Sequence, residues 1–118
     1  MRQPPLIGIV GPCASGKSTL IKLLTDQGYH CRHIAQEHSY VQNMWKRLTN
    51  PDILVYLDVT YQTTLNRKNL NWSQAEFQVQ LDRLENARKC ADIIVTTDSL
   101  TPAELASIVT DQINSLIF

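Results

Sequence analysis

An apolar run, Leu6-Ile7-Gly8-Ile9-Val10, passes without a spacer into Gly11-Pro12-Cys13-Ala14-Ser15-Gly16-Lys17-Ser18. That junction constrains the fold more than anything else in the chain. It follows the pattern G-x-x-x-x-G-K-[ST] at every fixed position. From average composition, such a match arises by chance in only roughly a few chains per thousand of this length. The residue types suit an anion. Glycines let the backbone wrap around it and turn N–H groups inward, where a side chain would collide. A helix opening at the loop's end brings the positive end of its dipole to the same point. The sequence predicts that helix over Ser15 to Gln27, with Leu20, Leu23 and Leu24 on one face and Gly28 as its stop.

The remainder of the 118 residues continues the alternation of strand and helix. Tyr29–Ile34 reads as a strand too polar for the centre of a sheet, whereas Ile53–Asp58 is almost wholly apolar, and Asp92–Thr96 is a short third candidate. Ser39 to Gln42 has capping-box spacing and predicts a helix carrying Val41, Met44, Trp45 and Leu48. Thr60 can cap a short helix to about Lys68. Ser73 to Glu76 is a second capping box, with Trp72 and Phe77 at the staple positions, and that helix should reach about Cys90. Thr101 to Glu104 is a third, with Pro102 at the first helical position. The expected fold is a single α/β domain over 1–118, a three-layer sandwich around a four-stranded parallel sheet. Polarity predicts the order Tyr29–Ile34, Leu6–Val10, Ile53–Asp58, Asp92–Thr96.

Composition excludes several classes. Lys+Arg and Asp+Glu are both 11, a net charge of zero, which argues against a nucleic-acid partner held by phosphate neutralisation. No apolar stretch approaches a membrane span, and the start lacks the layout of a signal peptide, so a cytoplasmic, membrane-free chain is expected. Cys13, Cys31 and Cys90 lack CxxC spacing, so neither a disulfide framework nor a zinc site is indicated.

The loop, followed by Tyr56-Leu57-Asp58-Val59 with Arg67 nine positions after Asp58, resembles the P-loop kinase group of nucleotide-binding domains. The stretch from Ala91 to Glu104 is similar to the last strand and helix of such kinases. The resemblance implies a P-loop NTPase fold and binding of ATP or ADP by Gly11, Pro12, Cys13, Ala14, Ser15, Gly16, Lys17, Ser18 and Thr19. It also implies Mg²⁺-dependent phosphoryl transfer to a small-molecule acceptor, or ATP hydrolysis. The chain departs from the group in three places. The long helical insertion that holds an acceptor base is missing before Ile53, as is the D-x-D or D-x-R element at the end of an inner strand. The lid is reduced to little more than Asn69-Leu70-Asn71. These departures favour an alternative, a nucleotide-binding or sensor module without turnover.

Ligands of open α/β sheets bind beyond the carboxyl ends of the strands. There Glu37 is a candidate Mg²⁺ ligand, with Ser18, or a general base. Gln36 and His38 are candidates to hold the acceptor. The bland alternative makes all three the solvated start of a helix. Asp58 has the form of a metal-organising aspartate, while its placement in the resemblance makes it a support beside the adenine. That second assignment leaves Glu37 as the centre of any chemistry. Arg67 either closes onto phosphates or pairs with a surface acid. Arg83 is expected in a surface salt bridge with Asp82 and Glu85. Trp45 and Trp72 are expected in the core rather than stacked on a base. For Cys13, the positive field of the loop favours the thiolate.

Overall fold

The computed structural model describes residues 4–68 and 71–117. Of the shortened connection, Asn69 and Leu70 lie outside the described residues. Strands β1 (Leu6–Val10), β2 (His30–His33), β3 (Ile53–Asp58) and β4 (Ile93–Thr96) form one parallel sheet in the order β2-β1-β3-β4. This is the order polarity predicts. β1 and β3 are nearly wholly buried, while β2 has three exposed residues of four and lies at an edge. Ile7 pairs with Ile53 and Val10 with Tyr56, and β4 continues the register with Val55 opposite Ile93.

The two-residue alternation of each strand divides the core. Ile7, Ile9, Val55 and Leu57 face α1 (Lys17–Asp26) and α4 (Pro102–Ile117), which contribute Leu20, Leu24, Leu105, Val109 and Ile113. Val10, Leu54 and Tyr56 face the other way, onto Leu84 and Ala87 of α3 (Gln74–Cys90) and onto Ile34 and Trp45. α2 (Tyr61–Lys68) links β3 to α3. Helices thus flank an all-parallel sheet, and the carboxyl ends of all four strands share one edge. No helix among the described residues is long and apolar enough to cross a membrane.

Local signals set most boundaries. α1 ends in a Schellman arrangement, Tyr29 N–H to the Leu24 carbonyl and Gly28 N–H to that of Thr25. Both halves of the Ser73–Glu76 capping box form, as do those of Thr101 and Glu104. Trp72 meets Phe77 edge-on at 5.8 Å, and its indole donates to Thr64. Trp45 is buried and donates to Asn86, so both tryptophans belong to the packing.

The helix expected to open at Ser39 does not form. Residues 36–38 make one 3-10 turn, and Trp45–Thr49 a short π-helical turn. Two competing side chains explain the difference. Ser39 Oγ accepts from the nearby Val41 N–H at 3.2 Å. The buried Gln36 amide accepts from Trp45 N–H and donates to the Val41 carbonyl, removing groups a helical ladder would need.

Candidate functional site

The loop between β1 and α1 is held in a shape that few residue types permit. A Cβ at Gly11 would lie 2.6 Å from the Leu57 carbonyl oxygen and 2.7 Å from Ser15 Oγ. Gly16, at φ 104°, turns the chain into α1. Ala14 also takes a left-handed conformation, φ 65°, which costs a residue with a Cβ about 1–2 kcal/mol. Gln80 of α3 grips the loop from outside: its Oε1 accepts from Cys13 N–H at 2.9 Å, and its Nε2 lies 3.1 Å from Cys13 Sγ. The first intrahelical bond of α1 runs from Leu20 N–H to the Gly16 carbonyl. The N–H groups of Lys17, Ser18 and Thr19 precede it and have no helical acceptor, so loop and helix together present donors to an anion.

Lys17, only 6% exposed, donates to the carbonyls of Gly11 (2.6 Å) and Pro12 (3.0 Å). Its ammonium also pairs with Glu37 Oε2 at 2.8 Å. Glu37 itself is 3% exposed, and its Oε1 has no hydrogen-bond partner among the described residues. A buried carboxylate oxygen without a donor costs free energy that a ligand can recover. Beside it, His38 lies with Nε2 3.8 Å from Glu37 Oε2 and 3.9 Å from Cys13 Sγ. Lys17, Ser18, Glu37, His38, Cys13 and His33 contribute to the walls of a cavity of about 240 Å³. The hard oxygens of Ser18 and Glu37 suit Mg²⁺, and a divalent cation would relieve the repulsion between Glu37 and an anion arriving at Lys17.

Gln36 stands differently from its expectation. Its amide is spent on Val41, Trp45 and the Arg83 carbonyl, and it is 1% exposed; in this arrangement it shapes the turn that presents Glu37. Arg83 also departs from the expected surface pairing. Its guanidinium donates to the Glu37 carbonyl at 3.3 Å and lies over the Tyr40 ring at 4.5 Å. The adjacent Glu85 pairs with Lys89 instead.

A second cavity of about 380 Å³ lies on the other side of the loop, between Ala14–Gly16 and the start of α4, with Leu20, Leu100, Pro102 and Leu105 as its apolar lining. Arg67 borders it. Arg67 does not make the expected surface pairing with an acid. Its guanidinium donates to the carbonyls of Ala14 and Ser15 and to both the hydroxyl and the carbonyl of Thr97. It fastens α2 to the loop and to the end of β4. Asp58 pairs with Arg88 at 3.5 Å, one third of its side chain exposed, and so is directed to α3.

Asp98, just after β4, accepts from Thr60 N–H at 2.9 Å and from its hydroxyl at 2.8 Å. Burial alone would raise its pKa, but the hydrogen bonds of Thr63 and Thr60, with Arg67 nearby, hold the carboxyl below its ordinary value. A depressed folded-state pKa stabilises the fold above the ordinary carboxylate range, and that contribution disappears as pH falls through the folded value. Asp98→Asn should therefore melt below wild type near neutrality. The gap should close as the pH is taken below about 3.9, as thermal melts across the acid limb will record.

Gln80 is a site residue that sequence reasoning passes over, and Arg83 is one that it assigns to the surface. Gln80 carries a usable signal: it sits between Phe77 and Leu84 on the buried stripe of α3, a polar residue at an apolar position. No protein-family model matches this chain, and no significant match to it is found among curated proteins.

Proposed function

We propose that residues 11–19 bind ATP or ADP with Mg²⁺, in a P-loop NTPase fold, and that the chain transfers a phosphoryl group to a small-molecule acceptor. One observation carries the reading: a lysine and a carboxylate, both buried, are paired at 2.8 Å at the mouth of a helix N-terminus, with one carboxylate oxygen still unpartnered. Lys17 can exchange the Gly11 and Pro12 carbonyls for phosphate oxygens with little movement of its stem. Ser18 and Glu37 are the residues that would hold Mg²⁺, which when bound neutralises charge on the terminal phosphates. The larger, mostly apolar cavity beside Ala14 and Leu105 suits a base and its ribose. The smaller one leaves room for a compact acceptor, with the unpartnered oxygen of Glu37 able to take a hydroxyl proton or hold the metal, and His38 at its rim.

Arg67 supports the loop from behind through its carbonyls. Catalysis of this kind is positioning and charge stabilisation, with little covalent work for the protein. Calorimetric titration with ADP and Mg²⁺, followed by single-turnover phosphate release from ATP with a panel of small hydroxyl and phosphate acceptors, tests the proposal. One-to-one binding and acceptor-dependent release are expected. Binding without any turnover would make the chain the nucleotide-binding module that its missing insertion favours, and no binding would overturn the reading altogether.

A further inference from the structure

We propose that Cys13, His38 and Glu37 form a site for one transition-metal dication of the zinc type, and that metal held there opposes nucleotide binding. The second half rests on the nucleotide reading above; the first does not. One ligand atom from each residue lies within 4.8 Å of the other two. Cys13 Sγ is 3.9 Å and Glu37 Oε2 is 3.8 Å from His38 Nε2. Ligand atoms around tetrahedral zinc stand roughly 3.3–3.6 Å apart, given bonds of about 2.0–2.3 Å. The His38 side chain, 58% exposed, can close its own two distances, and the remaining contraction falls between Cys13 Sγ and the Glu37 carboxylate.

Two further observations point to a ligand. Glu37 is 3% exposed, and with Lys17 on its Oε2 its Oε1 has no partner among the described residues, so a rotation of the carboxylate gives a metal one oxygen and leaves the other to Lys17. The sulfur is also prepared: the Gln80 amide, oriented by the Cys13 N–H, donates to Sγ at 3.1 Å. Hydrogen bonds of this kind around ligating atoms fix their direction and tune the metal. A thiolate with an imidazole selects zinc-like ions over Mg²⁺. The cysteine spacing gives no hint of this because the partners come from another loop, 25 residues away for His38. Binding displaces the thiol proton to solvent and forms a metal–sulfur bond without any change of oxidation state.

Glu37 cannot serve both this metal and Mg²⁺·nucleotide, and the cavity that opens onto Cys13 and His38 is the one lined by Lys17 and Ser18. The two ligands must then weaken one another by the same factor.

Cobalt(II), titrated into the full chain without nucleotide, tests the site. A one-to-one thiolate-to-cobalt charge-transfer band is expected, displaced by zinc. It should be lost in Cys13→Ser and require at least about tenfold more cobalt in His38→Ala, a change at an exposed side chain that leaves the core intact. Cys31→Ser and Cys90→Ser should keep it; burial pushes the Cys31 thiol up to about 11. Absence of the band in wild type, or its survival in Cys13→Ser, overturns the site whatever the nucleotide result. In the second arm, saturating zinc should weaken binding of a fluorescent ADP at least about tenfold in wild type and much less in His38→Ala. An unchanged affinity in wild type overturns the antagonism alone.

Discussion

Lys17→Ala is expected to weaken ADP·Mg²⁺ binding by about 10- to 150-fold, the equivalent of the roughly 1.5–3 kcal/mol carried by a hydrogen bond to a charged group. The same change should lower the melting temperature for a separate reason. It strips the partner from Glu37, which is 3% exposed, and an uncompensated buried charge costs about 3–5 kcal/mol. The two effects can be separated. Lys17→Met combined with Glu37→Gln removes both charges and leaves shape largely intact, so stability should return while nucleotide affinity stays low. Calorimetry beside thermal melts reads both quantities. Equal nucleotide affinity for wild type and Lys17→Ala would remove the basis of the nucleotide reading.

Glu37→Gln is expected to do the reverse: binding within a few-fold of wild type, and single-turnover phosphate release slower by about 10²-fold or more. The amide preserves size and one acceptor oxygen but neither holds a dication well nor accepts a proton. Lys17 retains the carbonyls of Gly11 and Pro12, so the ammonium is not orphaned as the carboxylate is in the converse substitution. Asp58→Asn serves as the comparison, since that carboxylate is directed to Arg88. Its turnover should stay near wild type. A dead Asp58→Asn with an active Glu37→Gln would assign the metal to the other side of the loop.

The sheet was legible because apolarity ranks its strands: Ile53–Asp58 tolerates neighbours on both sides, and His30–His33, with exposed charge, does not. Caps were legible because their chemistry is local, as at Ser73–Glu76. The segment after Glu37 misled for the same reason. Its capping-box spacing is real, but Gln36 lies outside the box and takes the backbone groups the helix required. Loop and Lys17 could be placed from the motif, and Glu37 beside them from the order of the strands. The grip of Gln80 and Arg67 on the loop could not, because each reaches across more than fifty residues to a backbone atom, and backbone atoms leave no mark in the pattern of side chains.

Ala14 has a consequence for the tempo of ligand capture. A methyl-bearing residue kept at φ 65° would leave that basin in a free peptide; here Arg67 on its carbonyl and Gln80 on its neighbour keep it there. Disorder in this segment has thus been removed by folding, before any encounter. Preorganised surfaces do not charge that ordering against affinity. On the proposed nucleotide reading, an arriving anion would meet a loop already in shape, and its capture should be paced by diffusion, charge and the exchange of Lys17 from the Gly11 and Pro12 carbonyls, with no slow rearrangement of the loop to follow.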